Sequence, residues 1–518
     1  MGAGMNGKAG NDTAMRPLTA LSLIDAHAER DPGKTAVIFE DRALSYGDLV
    51  GHSLRVASVL KRAGVGPGGG VCLFAVNCPE YYIVYLAVLR CGGTLFPINA
   101  DLLDEEIGYI VSNSRPVLAI TDEVGRERFV RSLDARGLDV PTLPLEGLMA
   151  EAAAQPPLHA AGAERSEDDI ALVIHTSGTT ARPKGVQASD RMEIQSALAL
   201  GRQWEISADD RFVCALPLSY VFGLFTASYV ALCHGASVLL FRKFHPVRVL
   251  EGIERHRATA IVGVPAMFGM MLEHLRDSGC DYDTASLRLV ASSGAVIAPT
   301  IKDEFSRRIG QAILEYYALS ECTPIFSFDV RDEHPMPAGS TGRLVPGAEV
   351  RILDDEGRPV GVDEVGRLQV RSERLMPGYF KDPQRTSDAF SDGWFNTGDL
   401  ARLDGDGYFY IVGRLRDQVI SGGHKISSAE IEDLLLKCNG VAAAAVVGAP
   451  HEILGEVVKA VVVPKPGAAL TVEAVTAFCA ARLAAYKVPR IVVFRESLPM
   501  SPAGKVLKKE LVDLDAGA

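Results

Sequence analysis

Short apolar runs and helix-period segments alternate along most of this chain, and that alternation limits the folds open to it. Strands are predicted at residues 71–76, 117–121, 170–174, 211–216, 236–241, 260–264 and 287–292. Helical patterns fall between them, an amphipathic one at 81–89 and others at 246–255 and 265–277; between residues 22 and 62 helical patterns flank a strand-turn-strand around 35–44. Spacing of this kind implies an α/β fold of parallel sheets covered by helices. Beyond Gly339 the pattern changes to short strands and turns at 348–353, 366–370 and 407–412, which predicts a β-rich subdomain. Residues 428–494 then read as helix, strand, strand, helix and strand, a compact α+β unit. A chain of 518 residues exceeds what one hydrophobic core supports, so two or more domains are expected. Residues 151–169, rich in Ala and Pro and then charged, read as a surface connection. The turn Gly66-Pro67-Gly68-Gly69-Gly70 precedes a strand instead of following one, so it does not read as a dinucleotide loop.

The bulk chemistry narrows the function classes. A net charge of −12 argues against a general nucleic-acid or anionic-membrane binder. The nine cysteines include no C-x-x-C pair, and Cys72, Cys214 and Cys233 sit in apolar runs. Reduced core thiols in a cytoplasmic protein are the expectation, with neither a zinc site nor a disulfide framework. Residues 1–17 are small, polar and glycine-rich and read as a disordered tail without the apolar core of a signal peptide. The most apolar later stretch, 227–241, is interrupted by His234 and Gly235 and is too short to span a bilayer.

The strand at 170–174 runs into Thr176-Ser177-Gly178-Thr179-Thr180-Ala181-Arg182-Pro183-Lys184-Gly185. Glycines there admit backbone N–H groups to phosphate oxygens, hydroxyls donate further bonds, and a lysine supplies a point charge. The spacing is not that of the common P-loop. Four further segments follow: Tyr317-Ala318-Leu319-Ser320-Glu321, Gly393-Trp394-Phe395-Asn396-Thr397-Gly398-Asp399, Gly413-Arg414-Leu415-Arg416-Asp417 and Ser501-Pro502-Ala503-Gly504-Lys505. In this order and at these separations the chain, from about residue 18 to about 511, resembles the adenylate-forming family of acyl-CoA synthetases, luciferases and peptide-synthetase adenylation domains.

The resemblance implies an ATP- and Mg²⁺-dependent acid–thiol ligase that forms an acyl-adenylate and then a thioester with coenzyme A. It implies an N-terminal ATP- and acyl-binding domain over 18–414, a hinge at 415–417 centred on Arg416, and a small mobile C-terminal domain over 418–518. Lys505 matches the catalytic lysine that bridges carboxylate and α-phosphate. Thr176, Ser177, Gly178, Thr179, Thr180 and Lys184 would hold the β- and γ-phosphates, and Glu321 would help to hold Mg²⁺. Asp399 matches the acceptor of the ribose hydroxyls and Arg414 a ribose or phosphate contact. Gly294 and Ala295 would line the adenine and acyl pocket, with Tyr317 stacking on adenine and Ser320 beside the nucleotide. Phe222, Thr226, Cys322, Thr323, Pro324 and Ile325 are candidate acyl-pocket walls. Ser421, Gly422, Gly423 and Lys425 would pass the pantetheine arm after the C-terminal domain rotates.

Arg416 is a mild departure at the hinge, where others carry Asp or Lys, and four further residues depart from the family pattern. Ala181 replaces a glycine in the phosphate loop, and Asp190 stands where histidine or asparagine often follows it. Tyr220 takes the place of a frequent histidine near the carboxylate, and Ala318 replaces the glycine after the motif tyrosine. Two readings stay open: neutral drift in a competent ligase, or weakened adenylation in an enzyme that thioesterifies a supplied acyl-adenylate. The place where an amino-acid adenylation domain carries its amine-pairing aspartate holds Leu218-Ser219-Tyr220-Val221-Phe222, so a free-standing ligase of an uncharged acid is expected. CoA and the arm of an acyl carrier protein are both open as acceptor, as are the oligomeric state and the acid itself.

Overall fold

A computed structural model describes residues 18–158, 165–176, 183–295, 297–421, 424–451, 454–483, 485–501 and 505–512. Among them the strands form five sheets. One is seven-stranded, with Leu289–Ser292, Ala260–Gly263, Arg211–Cys214, Ser237–Leu240 and Thr35–Phe39 parallel at its centre. A second is six-stranded and runs Thr142–Pro144, Leu118–Thr121, Gly70–Phe74, Thr94–Ile98, Ile170–Thr176, Lys184–Ser189. The predicted α/β class, β-rich subdomain and C-terminal α+β unit are all present.

The sheets are not purely parallel. Ile170–Thr176 and Lys184–Ser189 form an antiparallel hairpin on the edge of the second sheet, with Thr176 directly opposite Lys184. Residues 177–182 lie between these two strands in the chain. Their Ser177, Gly178, Thr179, Thr180 and Ala181 lie outside the described residues.

The amphipathic helix expected at 81–89 is the helix Pro79–Arg90, and it is not amphipathic: all its residues but Glu80 are buried. It packs on the helix Tyr46–Arg62 and belongs to the core shared by both large sheets, so apolar side chains are needed on every side. Even its last residue, Arg90, is buried, paired with Asp25 at 2.5 Å. Another departure is the segment Phe222–Tyr229, a π-helix with nearly all its residues buried. Residue-by-residue hydropathy cannot separate a π-helix from an α-helix, and such turns often mark functional sites.

The β-rich part comprises the hairpin Tyr317–Leu319 and Cys322–Ser327, followed by the sheet of Ala348–Leu353, Gly366–Ser372, Trp394–Leu403 and Phe409–Arg414. Its buried residues up to Phe409 join the main core. From Val419 onward a separate core forms around Ile426, Ile431, Val446, Val458, Val475 and Cys479. The short 3₁₀ turn Leu415–Asp417 lies between the two. Ser427 Oγ donates across it to the Val412 carbonyl at 2.9 Å, and Ser428 Oγ donates to the carbonyl of Asp417 in the turn itself. All nine cysteines are free, and eight of them are at least half-buried, Cys280 being exposed. Among the described residues no helix is long and apolar enough to cross a membrane.

Candidate active site

The hairpin Tyr317–Leu319 and Cys322–Ser327 supports two clusters of charged and hydroxyl groups, one at its turn and one at its first strand. At the turn, Glu321 is 7 % exposed. Lys184 donates to its Oε1 at 2.5 Å. The Tyr379 phenol donates to the same oxygen at 2.9 Å and accepts from the Lys184 ammonium at 2.9 Å. Burial opposes ionisation of Glu321, but the Lys184 charge and these hydrogen bonds outweigh it and hold the carboxyl below its usual range. Glu321 is therefore an anion at neutral pH, and Lys184, at the mouth of the Thr176–Lys184 hairpin, remains partly open to solvent.

On the first strand, the Tyr317 phenol donates to Asp399 Oδ2, and Arg414 Nε pairs with Asp399 Oδ1 at 3.2 Å. Asp399 and Arg414 face one another across the antiparallel strands Trp394–Leu403 and Phe409–Arg414. Gly398, at φ +74°, makes the bend that presents Asp399, whose N–H donates to Thr397 Oγ1 at 3.1 Å. One ring face of Tyr317 stacks on Phe326, itself stacked on Phe409 at 4.1 Å. Gly294 adopts φ +88° after the strand Leu289–Ser292, and Gly294 and Ala295 are exposed there. Ser320 is half-buried in the hairpin turn.

The candidate acyl walls come together from two elements. Thr226 is buried and Phe222 half-buried on the π-helix; Cys322, Thr323 and Ile325 are buried on the hairpin strand. Phe222 meets the buried Tyr316 edge-on at 6.2 Å, and Tyr316 meets Trp204 at 5.2 Å. Tyr220 ends the turn after residue 216. Burial pushes its phenol up to about 12, so it is neutral and cannot replace a basic imidazole.

Asp190 follows directly on the strand Lys184–Ser189. It opens the helix Asp190–Gln203, is 1 % exposed, and pairs with buried Arg165 at 2.6 Å. The C-terminal candidates Lys505 and Ser421 lie on different elements. Lys505 is exposed on a tight turn closed by Ser501 N–H to the Lys505 carbonyl at 2.7 Å and Lys505 N–H to Ser501 Oγ at 3.1 Å. Ser421 is buried at the end of the strand Gln418–Ser421. Gly422 and Gly423, the Arg416 and Lys425 side chains, and Pro502 to Gly504 lie outside the described residues.

Three site-building residues carry no sequence signal. Tyr379 joins Lys184 across 195 residues of chain. Arg374 is 4 % exposed and donates to the carbonyls of Pro324, Val345 and Pro346, fixing one wall of the pocket. Asn77 donates to the Leu216 and Phe241 carbonyls and accepts from Leu218 N–H, holding the turn before Tyr220.

Comparison with known proteins agrees with this geometry. A family model described as AMP-binding enzyme matches residues 24–380, and one described as AMP-binding enzyme C-terminal domain matches 430–505. Indoleacetate–CoA ligase of Aromatoleum aromaticum is 35% identical over 95% of this chain and 97% of its own length. Feruloyl-CoA synthase of an Amycolatopsis species is 34% identical over 93% and 96%. Among solved structures, ATP-bound MatB from Rhodopseudomonas palustris superposes with a TM-score of 0.88 at 32% identity, covering 96% of this chain and 99% of that one.

Proposed function

The chain belongs to the AMP-binding enzyme family, and from that premise we propose that it ligates a carboxylic acid to coenzyme A through an acyl-adenylate, with ATP going to AMP and pyrophosphate. The observation that carries the reading is the single hairpin that supports both clusters. It sets Lys184 and Glu321 at one end and Tyr317, Asp399 and Arg414 at the other. A triphosphate needs cations, and a vicinal diol needs a carboxylate acceptor; the two clusters supply one each.

In the first half-reaction a carboxylate and an α-phosphate, both anions, must meet in line. Positioned charge therefore does most of the work. Lys184, with Thr176 and the loop residues Ser177 to Thr180, takes the β- and γ-phosphates and the departing pyrophosphate. Asp399 accepts the ribose hydroxyls and Arg414 stays beside it, with the Tyr317 ring against adenine. Lys505 bridges the attacking carboxylate and the α-phosphate. Glu321 suits Mg²⁺ that shares nucleotide oxygens, since one carboxylate is what such an ion takes from protein. Bound there, Mg²⁺ would neutralise phosphate charge.

For the second half-reaction the C-terminal domain turns about Arg416, withdrawing Lys505 and presenting Ser421, Gly422, Gly423 and Lys425 to the pantetheine arm. The separate core of that domain supports movement as a unit. The acid is an uncharged, bulky one: the walls Phe222, Thr226, Cys322, Thr323, Pro324 and Ile325 offer no ion-pair partner. The relatives named for indoleacetate and ferulate point the same way. Commitment of Asp190 to Arg165 removes one of the four departures that suggested weakened adenylation.

Carboxylate-dependent exchange of labelled pyrophosphate into ATP tests the first step. Lys505→Ala is expected to cut exchange by about 10²–10³-fold, the loss typical of one positioned charge, while CoA still consumes a synthetic acyl-adenylate. Unchanged exchange in Lys505→Ala, or no exchange with any aromatic, fatty or polycyclic acid, defeats the reading. Offering CoA and a phosphopantetheinylated carrier protein side by side identifies the acceptor.

A further inference from the structure

The strand Lys184–Ser189 is the outer strand of its sheet, and residues 378–380 run along its open side. Val186 faces Tyr379 there, Phe380 N–H donates to the Gly185 carbonyl at 2.8 Å, and Gln187 N–H donates to that of Gly378 at 3.2 Å. This pairing carries Lys381 to the same place as Lys184, far from it in the chain. The two line one cavity of about 50 Å³ together with Tyr109, Gly185, Asp382 and Arg385. That is several times the space one water needs, and most of the exposed lining is polar.

Three cations line it, Lys184, Lys381 and Arg385, against the one carboxylate of Asp382. Glu321 neutralises Lys184, and Asp382 pairs with Arg385 at 3.4 Å. Among the described residues Lys381 pairs with no carboxylate. Its ammonium donates to the Asn113 carbonyl at 2.7 Å and lies over the Phe380 ring, 4.9 Å from the centre. An ammonium carries three N–H donors, so Lys381 keeps two after Asn113, and Lys184 keeps one after Glu321 and Tyr379. Burial, and then the like charge of Arg115, push the Lys381 ammonium below its usual range. Lys381 is exposed and holds φ +53°, a left-handed conformation that glycine adopts without strain. A cation crowded by a like charge and short of acceptors is stabilised by an arriving anion.

We infer that this cavity is a seat for an inorganic phosphoanion beside the nucleotide site, in which Lys381 and Arg385 receive the departing pyrophosphate from Lys184. The inference rests on the reading of Lys184 as a contact of the β- and γ-phosphates. Pyrophosphate leaves with several negative charges, and drawing it away from one cation costs Coulomb energy that a neighbouring cation offsets. No bond forms or breaks in this step; the seat binds the anion and passes it on. ATP is also anchored through its ribose at Asp399 and Arg414, so it depends on the seat far less than free pyrophosphate does.

Equilibrium dialysis of labelled pyrophosphate against the full chain, with AMP and Mg²⁺ present, gives its Kd; ATP and orthophosphate are measured alongside. The double variant Lys381→Gln, Arg385→Gln is expected to raise the Kd of pyrophosphate about tenfold and that of ATP less than about twofold, as the loss of charge-assisted hydrogen bonds to the free anion alone would do. Product inhibition of acyl-CoA formation by added pyrophosphate should weaken to match. The double variant Lys381→Arg, Arg385→Lys keeps both charges and should bind pyrophosphate nearly as the wild type does; thermal unfolding checks that each variant is folded. An unchanged Kd for pyrophosphate overturns the inference. So does an equal rise for ATP, which would make the two residues ordinary triphosphate contacts. A loss in the charge-keeping variant as large as in the glutamine variant assigns them a structural role and also overturns it, and tighter binding of orthophosphate than of pyrophosphate makes the cavity a site for free phosphate instead. These outcomes leave carboxylate-dependent exchange in the wild type intact. Silence there with every acid defeats the ligase reading, and the exit role with it.

Discussion

Two glutamates of this chain are both buried, at 7 % and 2 % exposure, yet one is ionised and the other neutral. Glu321 and Glu193 each accept a hydrogen bond from a tyrosine, Tyr379 and Tyr85. Glu321 also has its own cation, Lys184, and is held ionised. Glu193 has none, since the nearby Arg165 is taken by Asp190, and burial keeps it protonated. Burial alone therefore fixes nothing about a carboxyl group: the cation beside it decides whether it acts as a charge or as a neutral donor. The ionised one lies beside the proposed phosphates, where fixed charge is useful. The neutral one is shut into the core, where an unpaired charge would be costly.

The largest effects should come from removing the two cations. Arg165→Leu leaves Asp190 buried beside Glu193 with no positive partner, and is expected to cost about 3–5 kcal/mol of stability, measured by denaturant unfolding. Lys184→Leu exposes a different weakness. Lys184 is 27 % exposed, so the stability loss should be smaller, whereas pyrophosphate exchange should fall by about 10²–10³-fold. Equal stability losses in the two variants, or full exchange in Lys184→Leu, would erase the distinction between the two sites.

A weaker perturbation is pH. Between its unfolded value near 4.5 and its folded value of about 8, Glu193 holds a proton in the folded chain that the unfolded chain has released. Its contribution to stability is complete below pH 4.5, declines as pH rises through that window, and is gone above it. Asp190, pushed up to about 6 by burial against the opposing Arg165, acts in the same direction over a lower window. Glu321 acts oppositely: its lowered carboxyl stabilises the fold above pH 4.5, and that is lost as pH falls through its folded value. Unfolding midpoints from pH 5 to 8 should therefore decline less steeply in Glu193→Gln than in the wild type. Parallel profiles would place the Glu193 carboxyl at an ordinary value.

The two sites also differ in how far the sequence shows them. Lys184, Glu321, Asp399 and Arg414 sit in local patterns of glycine, hydroxyl and charge, and such patterns survive reading along a line. Tyr85 and Glu193 are 108 residues apart, and Lys184 and Tyr379 are 195 apart; only the packing of separate elements brings them together. Asp190 read as an altered phosphate neighbour because its place in the chain is next to the loop, while its side chain turns into the core toward Arg165. The helix Pro79–Arg90 misled for a related reason, because burial on all sides depends on what surrounds a helix and not on its own period. The π-helix at Phe222–Tyr229 has no distinguishing period at all. The fold class, in contrast, was fully legible, because strand and helix alternation is a repeated local signal that summed over many elements.

The finest probe of the comparison is the pair of tyrosine hydroxyls, whose hydrogen bonds are worth about 1 kcal/mol each. Tyr379→Phe takes a donor from Glu321 and an acceptor from Lys184 but leaves their ion pair at 2.5 Å, so exchange should fall only about three- to tenfold. Tyr85→Phe removes a hydrogen bond that favours the ionised form of Glu193, so its carboxyl should rise further above 8. The stability decline with pH should then extend to higher pH in Tyr85→Phe, while the KM for ATP stays unchanged. In Tyr379→Phe the ATP step should weaken while the pH profile above 5 stays as in the wild type. If each phenylalanine variant instead shows the other's signature, the two glutamates have been assigned each other's role, and the charge at the phosphates must come from elsewhere.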